Sequence, residues 1–178
     1  MASANKYLLF EYLVYLLVKW GKEVRNEDKL DLSKLRLQKI LFFVATIKSE
    51  ENNHKLLDIF DNFYALPYGP VEIDIYDAMN NNAFSSIKFE GNACVYDSLS
   101  DDNFISLSKG NKQMLKESVD LLMGKDFNYL SAPVFELVEI THKWTVWEVS
   151  MKVADLLGAH RERMATTDIC RSKIKAFE

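Results

Sequence analysis

Apolar residues recur along this chain mostly at helical spacing, in segments separated by short polar or glycine-containing stretches. The first segment, residues 4–20, is apolar at most positions, which predicts a helix buried on most sides that ends at Gly21. A second helix is predicted to begin after Ser33, because serine is a good N-cap and apolar residues follow at helical spacing from Leu37 to Val44. The N-terminal part of the chain is therefore expected to be helical.

The middle of the chain predicts a sharp turn, a short helix and two strands. Proline lacks a backbone N–H and has a fixed φ, so Pro70 suits the first turn of a helix over residues 71–79, entered from an extended segment at residues 63–66. Two short alternating runs flank Gly91-Asn92, which predicts a β-hairpin. An isolated hairpin is marginally stable, so residues 63–66 are the candidate for a third strand beside it.

Helical spacing predicts four more helices in the rest of the chain, at residues 111–123, 131–140, 145–157 and 168–177. Thr145 and Glu148 have the spacing of a capping box, with Thr145 as the N-cap. No repeat and no Pro/Gly/Ser-rich linker divides the sequence. We therefore expect a single domain over residues 1–178, of the α+β class and predominantly helical, with a small antiparallel β-sheet or hairpin.

Composition narrows the possible functions. A chain of 178 residues with 48% hydrophobic and 27% charged residues can bury the core of one globular domain. Its net charge of −4 argues against direct nonspecific binding of nucleic acid, which needs clustered Lys and Arg. Residues 7–20 are interrupted by Glu11 and Lys19 and are shorter than the ~20 residues of a membrane span. We expect a cytoplasmic protein that does not bind membranes.

The sequence shows no constellation typical of an active site. The three histidines do not have metal-ligand spacing, and there is no Gly-rich phosphate loop. Cys94 and Cys170 are far apart and suggest reduced thiols. The expectation is therefore that the protein is not an enzyme, with no catalytic residue, no cofactor and no metal.

Three separated stretches carry more specific information. Residues 35–43 read Leu-Arg-Leu-Gln-Lys-Ile-Leu-Phe-Phe, residues 67–71 read Pro-Tyr-Gly-Pro-Val, and Thr141-His142 is followed by Trp147. In this order and spacing, over residues 5–155, they resemble the Panacea domain, also described as the SocA-like or phage-associated GepA-type family. Val146 departs from the proline that usually precedes the tryptophan in that family.

The resemblance implies an antitoxin-type protein-interaction module. Members neutralise partner toxins that are typically encoded by the adjacent gene, and one branch acts as an adaptor that delivers its toxin to a protease. The expected partners are thus a protein toxin and, for an adaptor, a protease. The motif positions and the neighbouring aromatic residues, which are typical interface anchors, predict a partner-binding surface formed by Gln38, Lys39, Tyr68, Gly69, Pro70, His142, Trp144 and Trp147.

Several alternatives remain open from the residues alone. Gln38 and Lys39 either face solvent or brace the Tyr68-Gly69-Pro70 turn, and His142 either ends a helix or frames a pocket. A hydrolase that uses His142 with Glu136 or Glu139 is one alternative function. A DNA-binding regulator is a weaker one, based on the basic C-terminal residues Arg161, Arg163, Arg171, Lys173 and Lys175.

Overall fold

The computed structural model describes residues 2–25 and 30–172 of the chain. Within these ranges the elements are α1 (Ala2–Arg25), α2 (Lys34–Ile47), β1 (Phe63–Leu66), β2 (Gly69–Glu72), α3 (Ile73–Asn81), β3 (Lys88–Glu90), β4 (Ala93–Val95), α4 (Lys109–Met123), α5 (Val134–Thr141), α6 (Thr145–Leu156), β5 (Glu162–Arg163) and α7 (Thr166–Ser172). Short 3₁₀ helices occur at Lys55–Asp58 and Asp101–Phe104. The predicted class, α+β and mostly helical with small antiparallel sheets, is confirmed.

Helix α2 is the centre of the fold. It begins where the sequence predicts, with Ser33 as the N-cap accepting a hydrogen bond from the Arg36 backbone N–H at 3.4 Å. All side chains from Arg36 to Thr46 are buried, because α1, α4, α5 and β2 surround the helix. A helix enclosed in this way has no solvent-exposed face, and its polar side chains must find partners inside the protein.

Helix α1 is longer than predicted. It extends to Arg25, so the prediction that Gly21 ends it is wrong. A Cβ atom at Gly21 would lie 2.7 Å from Leu30 Cδ1, so the glycine allows the segment before α2 to pack closely against the helix. No helix in the described part of the chain is both long enough and apolar enough to span a membrane.

The three-stranded antiparallel sheet has the strand order β2-β1-β5. Strand β1 pairs with β2 through Leu66 opposite Gly69, so Pro67 and Tyr68 form the connection. The predicted helix over residues 71–79 is therefore partly wrong, since α3 begins at Ile73 and Pro70 belongs to β2. Strand β2 lies at a sheet edge, where proline is tolerated although it cannot donate a backbone hydrogen bond.

The predicted hairpin around Gly91-Asn92 is confirmed as β3 and β4, but it does not join β1. Its edge instead continues into the segment before α2, where Ser33 and Ala93 form an isolated bridge. The Cys94 N–H donates to the Leu32 carbonyl at 3.0 Å. The prediction that residues 63–66 form a third strand beside this hairpin is therefore wrong, because β1 belongs to the other sheet.

The last helices begin at other residues than predicted. The N-cap of α6 is Trp144 without a side-chain cap, so Thr145 is the first helical residue and the predicted capping box is absent. The Val146 N–H at this helix start donates instead to Ser172 Oγ at 2.9 Å. Helix α7 starts at Thr166, two residues before the predicted position, and the remainder of the predicted helix 168–177 beyond Ser172 lies outside the described residues.

A buried ion cluster ties α1 to the junction of β2 and α3. Lys6 Nζ donates to Asp61 at 2.8 Å, to Glu72 at 2.8 Å and to Asp74 at 2.7 Å. Burial lowers the pKa of Lys6, but the three carboxylates outweigh this effect and hold it above its usual value. Glu72 is fully buried and also accepts from the Ile75 N–H at 2.9 Å, which caps α3. Lys6 therefore neutralises a carboxylate that the core has enclosed.

Lys6→Met should lower the free energy of unfolding by about 3 kcal/mol, because removal of one partner leaves the buried Glu72 carboxylate without its counter-charge. The matched control is Lys19→Met, which removes an exposed pair with Glu23 on the same helix and should change stability by no more than about 0.5 kcal/mol. Urea denaturation measures both variants. Equal effects would show that the Lys6 cluster contributes no more than a surface pair.

Candidate functional site

Three distant parts of the chain meet at the turn between β1 and β2. We call residues 66–70 of this turn the hairpin corner. Side chains from α2, from the end of α5 and from the start of α6 all reach it. These parts are the three stretches that the sequence singled out.

The outer side of the hairpin corner is held by an indole and an imidazole. Trp147 Nε1 donates to the Leu66 carbonyl at 2.9 Å. The Trp147 ring stacks on His142, with ring centroids 3.7 Å apart and planes inclined by 10°. His142 is the C-cap of α5, as one of the two interpretations of the sequence expected. Tyr68, His142 and Trp147 therefore surround the same turn.

His142 is adapted to this packed position. Burial lowers the pKa of His142, and the charge of Lys39 acts in the same direction. Glu139 and a hydrogen bond with the Pro67 backbone act in the opposite direction but do not reverse the shift. The imidazole is therefore neutral at pH 7, which suits a ring stacked against an indole.

The inner side of the hairpin corner is held by α2. Lys39 Nζ, fully buried, donates to the Pro70 carbonyl at 2.7 Å, and burial lowers the pKa of Lys39 to about 7. Gln38 Oε1 accepts from the Glu72 N–H at 2.9 Å, and Gln38 Nε2 donates to the Glu72 carbonyl at 3.3 Å. These side chains form hydrogen bonds with backbone groups at the edge of β2, which would otherwise be buried without partners.

Gly69 fits a place where no other residue fits. Its φ is +90°, in the region that favours glycine. A Cβ atom there would lie 2.3 Å from Thr141 Oγ1 and 3.2 Å from Lys39 Nζ. Thr141 Oγ1 is itself fixed by donating to the Val138 carbonyl at 2.7 Å. The missing side chain lets the turn lie directly against α2 and α5.

Most residues of the predicted partner-binding surface are not accessible. The buried ones are Gln38, Lys39, Gly69, Pro70 and Trp144. Gln38 and Lys39 are enclosed because α2 has no solvent face, so they brace the turn. Trp144 packs edge-on against the Phe42 ring, with centroids 5.1 Å apart. In this structure a partner can touch Tyr68, which is 61% exposed, and the partly exposed His142 and Trp147.

The structure adds one aromatic residue that sequence reasoning missed. Phe135, at the start of α5, is 59% exposed and meets Tyr68 edge to face, with ring centroids 6.1 Å apart. We call Tyr68 and Phe135 the exposed aromatic pair. In the sequence, one signal indicated an exposed ring: Phe135 is a large aromatic residue next to Glu136 on the polar side of a predicted helix. The pairing with Tyr68 required the fold.

The arrangement does not form a catalytic group among the described residues. Glu136 and Glu139 are exposed, and neither makes a hydrogen bond to His142 within the described ranges. Asp61, Glu72 and Asp74 lie close enough together to be metal ligands, within 4.8 Å of one another, but Lys6 donates to all three. The chemistry of the hairpin corner is that of a rigid, partly aromatic surface.

Comparison with known proteins identifies the family of the chain. A family model described as "Antitoxin SocA-like, Panacea domain" matches residues 37–148, which is more than half of the chain. The match includes the hairpin corner and the residues that hold it, from Gln38 to Trp147. No curated protein and no solved structure matches the chain.

Gly69→Ala should lower the free energy of unfolding by about 3 kcal/mol, since the new methyl group would overlap Thr141 in addition to straining the backbone. Gly91→Ala is the matched control. Gly91 also has a positive φ, +60°, but nothing lies within 4 Å of its Cβ position, so only about 1 kcal/mol should be lost. Thermal or urea unfolding measures the difference, and equal losses would mean that the close approach at Gly69 is unimportant.

Lys39→Met should change how stability depends on pH. The pKa of a lysine is about 10.4 in an unfolded chain, and burial lowers that of Lys39 to about 7 in the fold. Between these values the unfolded state binds more protons, so Lys39 makes the wild type more stable as pH rises from about 7. Below about pH 7 the folded and unfolded states both bind this proton, so the destabilisation caused by burying the charged Lys39 does not change with pH. In urea unfolding from about pH 6 to 9, the free energy of unfolding of the wild type should rise relative to that of Lys39→Met above about pH 7. A difference between the two proteins that does not change with pH would contradict the shifted pKa.

Proposed function

The chain belongs to the family of SocA-like antitoxins with a Panacea domain, and we propose that it neutralises a protein toxin by binding it at the hairpin corner. The toxin is expected to be encoded by the adjacent gene, as the family resemblance implies. The observation that carries this proposal is the exposed aromatic pair, held at the surface by a turn that α2, α5 and α6 fix in place.

The physical properties of the hairpin corner suit a binding site for a protein. Tyr68 and Phe135 bring large rings to the surface, and aromatic residues dominate the binding energy of many protein interfaces. The backbone beneath them is fixed by the bonds from Lys39 and Trp147. Because the turn is already ordered, little conformational entropy is lost when a partner binds.

The two alternative functions receive less support from the geometry. The hydrolase interpretation needs a carboxylate that orients His142, and neither Glu136 nor Glu139 makes such a hydrogen bond among the described residues. The DNA-binding interpretation needs clustered basic residues that are free of counter-charges. Arg161, Arg163 and Arg171 are exposed, but Arg171 pairs with Glu51 at 2.9 Å and Arg161 lies over the Tyr64 ring, and Lys173 and Lys175 lie outside the described residues. A non-enzymatic binding function therefore fits the described residues best.

Neutralisation has two possible forms under this proposal. In the first, the bound protein blocks the toxin directly. In the second, it acts as an adaptor that delivers the toxin to a protease. Both forms place the protein in the cytoplasm, where the products of adjacent genes meet. The amount of toxin in cells distinguishes them, since only delivery to a protease lowers the toxin level.

Tyr68→Ala should weaken binding of the toxin by about 2 kcal/mol, or roughly 30-fold, because it removes a central aromatic anchor. Growth rescue on co-expression with the adjacent gene, together with co-purification, measures this loss. Tyr76→Ala is the matched control, since Tyr76 is also exposed (40%) but lies on α3. Circular dichroism of both variants verifies that they are folded.

Two outcomes would contradict different parts of the proposal. If the adjacent gene is harmless when expressed alone, the antitoxin function loses its basis. If both variants rescue growth as well as the wild type, the function stands but the hairpin corner is not the binding surface.

A further inference from the structure

The exposed aromatic pair has acidic neighbours on the same helix. Phe135, Glu139 and His142 follow one another at i, i+4 and i+7, so they share one face along α5 and its C-cap. Glu139 is exposed, and it is close enough to His142 to act on it electrostatically. Glu136 is exposed beside Phe135. We call Tyr68, Phe135, Glu136 and Glu139 the acidic aromatic patch.

These carboxylates differ from many other exposed acids of the protein. Glu117 pairs with Lys48, Glu148 with Lys152 and Glu51 with Arg171. Within the described residues neither Glu136 nor Glu139 has an ion pair within 4.0 Å. This holds although Lys143 lies four residues after Glu139, at a spacing that allows a helical ion pair. The patch therefore presents two exposed carboxylates that form no ion pair within the described residues, next to two aromatic rings.

We propose that the acidic aromatic patch binds an arginine or lysine side chain of a protein partner, so that the toxin segment recognised by this antitoxin is basic. The inference rests on the proposed function and adds the chemistry of the partner. A cation is attracted to the faces of aromatic rings, and a nearby carboxylate supplies its counter-charge. Arginine fits best, because its planar group stacks on a ring while it donates to a carboxylate.

The rest of the molecule favours the same kind of partner. The neutral His142 adds no positive charge beside Glu139, since burial lowers the pKa of the imidazole. The net charge of −4 attracts a basic partner over longer distances, with a strength that decreases as salt screens it. Charge complementarity at the patch and over the whole chain therefore act together.

The first experiment uses two short synthetic peptides with the full-length protein. One carries an arginine between two leucines, and the other carries the neutral isostere citrulline at that position. Amide resonances followed by NMR should shift at Tyr68, Phe135 and Glu139, with an affinity about fivefold higher for the arginine peptide. Equal affinities, or no shifts at these residues with either peptide, would overturn the proposal.

Two variants of the protein locate the effect. Glu139→Gln should abolish the preference for arginine over citrulline. Glu90→Gln, which changes an exposed acid on β3 in the separate two-stranded sheet, should retain it. Retention of the preference in Glu139→Gln would overturn the role of this carboxylate.

A second experiment separates this inference from the proposed function. Glu139→Lys and Glu90→Lys are co-expressed with the adjacent gene, beside the wild type. Rescue by the wild type and Glu90→Lys but not by folded Glu139→Lys supports the inference. Equal rescue by all three would leave the antitoxin function standing and overturn the acidic aromatic patch as its recognition site. Failure of the wild type itself would contradict the proposed function, whereas the peptide result would still decide the chemistry of the patch.

Discussion

The enclosure of helix α2 is the constraint on which the rest of the structure depends. Because protein surrounds it on all sides, its long polar side chains, Arg36, Gln38 and Lys39, donate to the backbone of neighbouring segments. Arg36 donates to the carbonyls of Tyr129 at 3.0 Å and Ala132 at 2.8 Å, in the loop that leads to α5. Lys39 donates to the Pro70 carbonyl in β2. One helix thus positions both segments that carry the exposed aromatic pair.

Local sequence signals predicted the elements whose causes are local. The N-cap Ser33 and the turn at Gly91-Asn92 depend on residues a few positions away, so α2 and the β3–β4 hairpin were predicted correctly. The Gly69-Pro70 pair was assigned to a helix start because proline suits both a first turn and an edge strand. Only the distant pairing with β1 decides between them.

The side chains of the candidate site were also hard to predict, because their surroundings depend on segments that are distant in sequence. Helical spacing identifies the apolar positions of α2 but cannot show that its other faces are also covered. The sequence therefore left open whether Gln38 and Lys39 face solvent or brace the turn, and the fold buries both against it. Phe135 has no partner near it in sequence, and its contact with Tyr68 arises only when α5 packs against β2. The three motif stretches, although distant in sequence, do converge on the hairpin corner.

The limits of the family match are not the limits of the structural unit. The matched segment begins at residue 37 and ends at residue 148, yet the counter-charge of its buried Glu72 comes from Lys6. The N–H of Val146 is satisfied by Ser172, and β5 lies beside β1 as the third strand of the sheet. Segments from both sides of residues 37–148 therefore stabilise the part of the chain that the family model matches. A fragment trimmed to residues 37–148 would lack Lys6, β5 and Ser172, and with them the contacts that these make to the matched segment.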